Sequence, residues 1–562
     1  MRPASYEDLH RGSGVAAYVV GFWRSLSTLG LLIGTLFFAA SLTPSLIPRP
    51  YLVQGVLSGF SAGAGYALGV FIHWLWTYLE LPHFSSRTAR ALKWFAAAIC
   101  LATAIVFLWK AAGWQNSVRS LMGLEPVETA EPLVVGLIAL GLFAVLIALA
   151  RLFKLIYRLA AGKLDRYIPR RLANVIGVAI AVVLFWSIAE GVLLKYGLRS
   201  VDASLQRLDN LIEDDLAMPT DPEKTGSAAS LVNWKELGRQ GRRFIASGPS
   251  AEDIGSFFGT EAKEPIRVYV GLNSADTAEE RAKLALEEMK RVGAFDRSAL
   301  VVAVPTGTGW MDPAAFDSLE YLHHGDVATV GLQYSYLLSW LSLLVEPDYG
   351  AAAGKALFKE VYDYWTQLPR DKRPKLYLHG LSLGALNSER SVDLFNVIGD
   401  PFQGALWVGP PFTTPNWNWV TANRNPGSPA WLPRFRDGSV IRFTNQDNAL
   451  DIPGEEWGPM RIVYLQYASD PITFFEPAAF YREPEGMKVP RGPDVSPDLR
   501  WYPVITMLQL AFDMAIGTST PIGHGHVYAP EHYIDGWMAV TDPPGVSAAD
   551  VERLKAHLKG RY

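Results

Sequence analysis

The chain has 562 residues, 49% of them hydrophobic, and a mean hydropathy of +0.12. That length predicts more than one domain, and that apolarity excludes an ordinary soluble protein. The net charge of −4 gives no indication of a nucleic-acid partner, since such proteins carry strongly basic surfaces. Cys100 is the single cysteine, which excludes an intrachain disulfide and a cysteine-based zinc site.

Apolar residues are concentrated before residue 200. Because a helix needs about 20 apolar residues to cross a bilayer, we predict five membrane spans in this region. The second span carries Gly55, Gly59 and Gly63 at a spacing of four residues, followed by Gly65 and Gly69, which predicts close packing between helices. The predicted spans cover residues 26–47, 52–79, 92–113, 132–155 and 172–194.

Lysine and arginine are distributed unevenly over the segments between these spans. They cluster in the N-terminal stretch and around residues 87–93 and 154–171. The opposite side holds fewer basic residues (Arg49, Lys110 and Arg119) and also the glutamates Glu125, Glu128 and Glu131. Since basic loops stay in the cytoplasm, the bias predicts a multi-pass protein of the cytoplasmic (inner) membrane with a cytoplasmic N-terminus. Everything after about residue 195 is then extracytoplasmic, an orientation that an error of one span would invert.

A charged segment follows the spans, and strands and helices alternate after it. We predict a transmembrane helical domain over residues 1–197, a linker and entry segment over 198–262, and an α/β domain over 263–562. Such alternation predicts a mostly parallel sheet with helices on both faces. The predicted strands are 266–272, 299–304, 327–334, 376–378, 404–408, 440–443 and 462–467, and the predicted helices are 277–292 (capped by Asp276), 313–322, 354–367, 385–397 and 531–540.

One strand-to-helix turn in this domain has the sequence Gly380-Leu-Ser-Leu-Gly384. This pattern is typical of a nucleophile elbow, a turn so tight that the positions two residues before and after the serine cannot carry side chains. Ser382 would then lie at the carboxyl end of the sheet, where ligands bind in such folds. The pattern also occurs by chance in ordinary turns, so the prediction of Ser382 as a nucleophile depends on partners further along the chain.

A serine nucleophile needs a base, and the base needs an acid that orients it. In chains with this elbow the order is Ser, then Asp or Glu, then His. Asp470 closes the strand predicted at 462–467 and is the expected acid. Asp447 and Asp451 follow a different strand and are the substitutes, and an Asp-Pro turn without a catalytic role is the alternative for Asp470.

The expected base lies in the loop Pro521-Ile-Gly-His-Gly-His-Val-Tyr528, before the last predicted helix of the domain. We predict His526 as the base and His524 as its alternate. Two histidines at this spacing could also bind a metal, but no third ligand lies at a recognisable distance along the chain. Neither a metal nor a cofactor is therefore expected.

An oxyanion hole requires two backbone N–H groups. The first is predicted to come from Leu383, at the start of the helix after the nucleophile, and the second from the loop after the strand two before the elbow strand. That loop is Pro305-Thr-Gly-Thr-Gly-Trp310, and Thr306 is the predicted donor. A phosphate-binding role for this glycine-rich loop is disfavoured, because it lacks the Gly-Lys-Ser/Thr ending of a P-loop.

Four motifs resemble those of a bacterial family of membrane-anchored α/β-hydrolases. Leu42-Thr-Pro-Ser-Leu-Ile-Pro-Arg-Pro-Tyr51 is similar to the family's membrane half, and Leu237-Gly-Arg-Gln-Gly-Arg-Arg-Phe244 and Gly525–Trp537 are similar to its catalytic half, as is the elbow. The resemblance covers nearly the whole chain and implies an α/β-hydrolase fold with serine-hydrolase chemistry. It implies no substrate. The helix predicted at 277–292 departs from the usual fold, in which an early hairpin of strands is expected there.

The expected function is hydrolysis of carboxylic esters by a serine esterase or lipase-like enzyme with a Ser-His-Asp triad. A site next to the bilayer makes a hydrophobic or lipid-like ester the expected substrate. The long aromatic segment 410–438 is either a lid or acyl-binding wall, or a small satellite core. The alternatives are an acyltransferase with the same triad and a catalytically inactive membrane scaffold or binding protein. The sequence does not predict an oligomeric state.

Overall fold

The computed structural model describes residues 25–82, 85–188, 209, 216–337 and 348–562. The N-terminal arginines, the end of the fifth predicted span and residues 198–208 and 210–215 of the predicted linker lie outside these ranges. The chain divides into two compact units. The first comprises Met1–Val183, Ala478–Arg482 and Ser496–Phe512, and the second comprises Leu184–Pro477, Glu483–Val495 and Asp513–Tyr562.

Four of the described N-terminal helices are long and apolar enough to cross a membrane. The first helix is shorter, with 14 residues, and rises only about 21 Å against a hydrocarbon core of about 30 Å. The described residues thus hold four candidate spans where the sequence predicts five. The helices are α1 (Thr28–Ser41), α2 (Tyr51–Tyr78), α3 (Ser86–Arg119), α4 (Pro132–Leu164) and α5 (Arg170–Ile188).

The glycines of α2 allow the neighbouring helices to approach closely, as their spacing predicts. A Cβ atom at Gly59 would lie 2.9 Å from the Leu142 side chain of α4. A Cβ atom at Gly69 would lie 2.6 Å from Gly30 of α1. Two faces of α2 are therefore packed against two different helices, and side chains larger than hydrogen at these positions would separate them.

Two segments of the C-terminal half belong to the first unit. In the second of them, the Gln509 side chain donates a hydrogen bond to the Thr43 carbonyl at 3.0 Å. Ser496 and Ser117, at the end of α3, share a hydrogen bond of 2.8 Å between their hydroxyl groups. The α3 end that binds Ser496 leads into residues 123–131, which carry the three glutamates noted above.

The second unit is built on a seven-stranded sheet with the order β1-β3-β2-β4-β5-β7-β6. All neighbouring strands are parallel, so their carboxyl ends meet at one edge, as the alternation of elements predicts. The fourth strand lies between β2 and β5, near the middle of the sheet. The strands are β1 (Ile266–Val270), β2 (Ala299–Val304), β3 (Val327–Leu332), β4 (Lys375–Leu381), β5 (Gly404–Val408), β6 (Ile441–Thr444) and β7 (Arg461–Leu465).

The five helices predicted in the C-terminal half are present, but the one predicted at 385–397 is divided into two. Five further helices were not predicted: Gly238–Ala246, Ala251–Phe258, Pro415–Ala422, Ile505–Ala515 and Ala548–Lys559. Thr277, and not Asp276, caps the helix after β1, because its hydroxyl accepts from the Glu280 N–H while the Glu280 side chain accepts from the Thr277 N–H, both at 3.1 Å. The helices are α6 (Gly238–Ala246), α7 (Ala251–Phe258), α8 (Ala278–Arg291), α9 (Pro313–Leu322), α10 (Tyr349–Gln367), α11 (Leu383–Ser391), α12 (Leu394–Val397), α13 (Pro415–Ala422), α14 (Ile505–Ala515), α15 (Pro530–Thr541) and α16 (Ala548–Lys559).

Candidate active site

Ser382 occupies the turn between β4 and α11 with a strained backbone. Its φ of 57° and ψ of −126° lie in a region that L-residues rarely adopt. A Cβ atom at Gly380 would collide with the Gly384 backbone, and one at Gly384 would collide with the Val304 carbonyl of β2. Both glycines are therefore required by close backbone contacts, which is the geometry that the Gly-x-Ser-x-Gly spacing predicts.

Asp470 and His526 are hydrogen-bonded to each other. His526 Nδ1 lies 2.7 Å from Asp470 Oδ2, and both residues are buried. Asp470 lies in the loop after β7, and His526 lies in the loop before α15. A carboxylate at this distance from Nδ1 fixes the imidazole orientation and favours the tautomer with its proton on Nδ1, so that Nε2 can accept a proton.

Asp470 is held by donors beyond the imidazole. The N–H of Ile472 donates to its Oδ1 at 2.8 Å, and the Thr473 hydroxyl donates to its Oδ2 at 3.2 Å. Tyr528 also donates its hydroxyl to Oδ2, at 2.7 Å. Burial raises the pKa of Tyr528 well above its ordinary value, so the phenol keeps its proton and remains a donor. Tyr528 was not singled out from the sequence, although it lies two residues after His526.

Ser382 and His526 both approach the end of β5. The Ser382 N–H donates to the Val408 carbonyl at 2.9 Å. A Cβ atom at the next residue, Gly409, would lie 2.8 Å from His526 Cε1, the ring carbon bonded to Nε2. The buried Nε2 atom has no hydrogen-bond partner among the described residues. Glycine at position 409 thus lets the imidazole approach the strand end at which the Ser382 backbone is bound.

The two predicted oxyanion donors differ in their surroundings. Leu383 is the first residue of α11, and the first N–H groups of a helix have no partner within it. The Thr306 N–H donates instead to the Trp310 carbonyl at 3.0 Å. The loop nevertheless borders the elbow, since a Cβ atom at Gly384 would lie 3.1 Å from the Pro305 carbonyl. Thr306 could serve as a donor only after its bond to Trp310 opens, and its role stays a prediction.

The structure distinguishes the preferred acid and base from their alternates. Asp447 follows the edge strand β6, where its N–H donates to the Asn445 side chain at 3.0 Å. His524 has a buried Nδ1 without a hydrogen-bond partner among the described residues, and burial lowers its pKa. The pair that the structure brings together is Asp470 with His526, and their roles as acid and base stay a prediction.

The aromatic segment 410–438 contains one helix, α13, and is anchored by its tryptophans. Trp417 is buried and donates its ring N–H to the Gln466 side chain at 2.6 Å. Trp431 donates to the Pro490 carbonyl at 2.8 Å, whereas Trp419 is exposed. These contacts favour the satellite core over a lid that moves as a whole. Within the described part of the chain, no three metal-ligating side chains of His, Cys, Asp or Glu lie together.

Comparison with known proteins places both halves of the chain in one family. Residues 266–554 match the model of an alpha/beta-hydrolase family, and residues 42–249 match the model of an alpha/beta-hydrolase family N-terminus. The first match includes the elbow, Asp470 and His526, and the second includes all four candidate spans of the described residues. No curated protein and no solved structure matches the chain.

Proposed function

Because this chain belongs to the alpha/beta-hydrolase family, we propose that it is a membrane-anchored serine hydrolase that cleaves carboxylic esters through an acyl-enzyme on Ser382. The observation that carries the proposal is the 2.7 Å bond between His526 Nδ1 and Asp470 Oδ2, together with the φ of 57° at which the elbow holds Ser382. A nucleophile in a strained elbow, together with a base already oriented by a buried acid, is the arrangement required for acyl transfer.

The proposed reaction has two steps. In the first, Ser382 Oγ attacks the ester carbonyl while His526 Nε2 takes the hydroxyl proton, and the same imidazole then gives that proton to the leaving alcohol. In the second, a water molecule loses a proton to Nε2 and its oxygen bonds to the acyl carbon. The bond between that carbon and Ser382 Oγ then breaks, Nε2 returns the proton to Oγ, and the carboxylic acid leaves. Asp470 holds and stabilises the imidazolium in both steps. The Leu383 N–H stabilises the oxyanion, with Thr306 as the proposed second donor.

We further propose that the catalytic half lies on the extracytoplasmic side of the cytoplasmic membrane. The orientation depends only on α2 to α5. Because these four spans bring the chain back to the side on which α2 begins, the residues after α5 lie on the same side as residues 42–50. The Lys/Arg-rich segments 87–93 and 154–171 lie at the opposite ends of these helices from residues 123–131. If α1 also crosses the membrane, only the proposed location of the N-terminus changes.

The substrate class that this placement favours is a hydrophobic or lipid-like ester. The test uses full-length protein in detergent or nanodiscs and a series of nitrophenyl esters with increasing acyl length. The proposal predicts turnover by the wild type and loss of turnover in Ser382→Ala, with both variants equally well expressed and folded. Esterase activity that persists in Ser382→Ala would contradict the mechanism. Preference for short acyl chains would contradict the lipid-like substrate while leaving the mechanism in place.

Orientation is tested separately by cysteine labelling in intact cells. Cys100 is the single cysteine, so Cys100→Ala gives a background without thiols. The exposed residues Asp371, in the catalytic half, and Arg166, between α4 and α5, are then replaced singly by cysteine. A membrane-impermeant maleimide should label the Asp371→Cys protein and leave the Arg166→Cys protein unlabelled until the cells are opened. The reverse pattern would place the catalytic half in the cytoplasm.

A further inference from the structure

The loops that carry Asp470 and His526 are joined by a second hydrogen bond outside the proposed triad. The Gly525 N–H donates to Ser469 Oγ at 2.9 Å. Ser469 directly precedes the acid, and Gly525 directly precedes the base. This bond therefore fixes the distance between the two loops at the residues next to the Asp470–His526 pair, and Ser469 is fully buried, so water cannot replace it.

The orientation of the Ser469 hydroxyl is set by Asp494. One carboxylate oxygen of Asp494, Oδ2, lies 2.5 Å from Ser469 Oγ and accepts from the Ser469 N–H at 3.2 Å. It also accepts from the Gln446 side chain at 2.7 Å. Because an ionised carboxylate can only accept, the Ser469 hydroxyl donates to Asp494 and presents a lone pair to the Gly525 N–H. Without Asp494 the hydroxyl could rotate and its bond to Gly525 would no longer be specified.

Asp494 contacts neither Asp470 nor His526 through a hydrogen bond in the described structure, and it is buried. It lies two residues before the segment Ser496–Phe512, which belongs to the first unit. Beyond the other end of that segment, the Gly517 carbonyl accepts from the His526 N–H at 3.0 Å. The residues on both sides of Ser496–Phe512 thus bind the loop that carries His526 (residues 521–528, the base loop). Asp494 acts on this loop through Ser469, and Gly517 binds it directly.

We propose that Asp494 is a positioning residue for the Ser382 reaction, acting through Ser469 and Gly525 on the placement of His526. The proposal rests on the serine-hydrolase function proposed above. The Asp494–Ser469 pair keeps the base loop at a fixed distance from the acid, so that His526 Nε2 is aligned for proton transfer from Ser382. Loss of either member loosens the base loop without removing any group that reacts.

The consequence is a specific kinetic pattern. Proton transfer depends on geometry within fractions of an ångström, and a misplacement of about 1 Å costs on the order of 100-fold in rate. Asp494→Ala and Ser469→Ala should therefore each lower kcat by about 10- to 100-fold, while KM changes by less than about 2-fold because substrate binding is not involved. Since the two residues act in one chain of hydrogen bonds, the double variant should be no slower than the slower single variant.

The experiment measures kcat, KM and the rate of fluorophosphonate labelling for the full-length wild type, both single variants and the double variant. Asp498→Asn is the matched control, because Asp498 is exposed, four residues away and in the same stretch of chain. Asp494→Asn is the conservative variant: an amide oxygen can still accept from the Ser469 hydroxyl, so it should keep more activity than Asp494→Ala. If Asp494→Ala does not fold, Ser469→Ala and Asp494→Asn carry the same test.

The outcomes separate this inference from the proposed function. A wild type that labels and turns over, with single variants that react at the wild-type rate, would contradict the positioning role alone. Additive losses in the double variant, or a raised KM with unchanged kcat, would also contradict it. A folded wild type that neither labels nor hydrolyses any ester would contradict the proposed function, and the positioning role would fall with it.

Discussion

Tyr528 donates its hydroxyl to the same carboxylate oxygen of Asp470 that binds His526, at 2.7 Å. The buried acid is thus stabilised by a neutral donor in addition to the imidazole. Removing that donor should leave Asp470 less tightly held without removing any group that reacts.

We expect Tyr528→Phe to lower kcat by about 10-fold and to cost about 1–3 kcal/mol of unfolding free energy, because a buried acceptor loses a bond. The measurements are ester turnover and urea unfolding in detergent. Tyr481→Phe serves as control, since Tyr481 is 72% exposed. Equal kinetics in Tyr528→Phe and wild type would show that the phenol does not support the acid.

The choice between the two histidines of the base loop can be tested directly. His526→Ala removes the imidazole bound to Asp470 and should lower kcat by about 10³-fold or more. His524→Ala should stay within about 10-fold of wild type, since His524 acts on neither Ser382 nor Asp470 in the proposed mechanism. The inverse ranking of the two variants would make His524 the base.

The two candidate acids allow a parallel comparison. Asp470→Asn should lower kcat by about 10⁴-fold, because an amide favours the wrong imidazole tautomer. Asp447→Asn should leave kcat within about 2-fold, as a surface substitution normally does. An inactive Asp447→Asn protein with an active Asp470→Asn protein would overturn the assignment of the acid.

The elbow glycines predict a steric effect on both fold and activity. An alanine at position 384 would place its Cβ against the Val304 carbonyl, so Gly384→Ala should destabilise the protein by about 1–3 kcal/mol and lower the labelling rate of Ser382. Gly399→Ala is the control, because nothing lies within 4 Å of a Cβ there. The measurements are thermal unfolding and Ser382 labelling of the two variants. A stable and fully reactive Gly384→Ala protein would show that the backbone of the elbow can shift to accommodate the Cβ atom.

A buried histidine beneath the elbow predicts a loss of stability in acid. Burial lowers the pKa of His379 to about 4, so the folded protein binds this proton less readily than the unfolded chain. The contribution of the neutral imidazole to the free energy of unfolding is complete above pH 6.5. It decreases by about 3 kcal/mol as the pH drops towards 4.

His379→Asn removes that titration while keeping a donor for the Leu406 carbonyl, which His379 Nδ1 binds at 2.8 Å. The variant should be less stable than wild type at pH 7, by about 2 kcal/mol through lost packing. Its unfolding free energy should, however, fall less steeply between pH 6.5 and 4. Urea unfolding in detergent at several pH values gives the pH dependence of the unfolding free energy for both proteins. An identical dependence in the two would contradict the assignment of this titration to His379.

Local sequence was sufficient to predict the geometry of the elbow and the contact between Asp470 and His526. The spacing of Gly380, Ser382 and Gly384 is required by steric contacts within one turn. Asp470 comes directly after a strand that can be predicted from its own β-branched residues. The family matches confirm the fold class to which these patterns belong.

Other features depend on contacts that the sequence does not display. Asp494 lies in an irregular loop, and only the folded chain brings it to Ser469. Hydropathy extends the first predicted span to residue 47, yet α1 ends at Ser41, because Pro44 and Pro48 cannot continue a helix. The division into residues 1–197, 198–262 and 263–562 likewise did not anticipate that two segments of the C-terminal half would belong to the first unit.

The central claim is that Ser382 is an activated nucleophile. The most direct test is to label membranes that contain the full-length protein with a fluorescent fluorophosphonate, with Ser382→Ala as the comparison. We predict a labelled band of the expected mass for the wild type and none for Ser382→Ala at equal protein amounts. Equal labelling of both proteins, or no labelling of a folded and inserted wild type, would contradict the account.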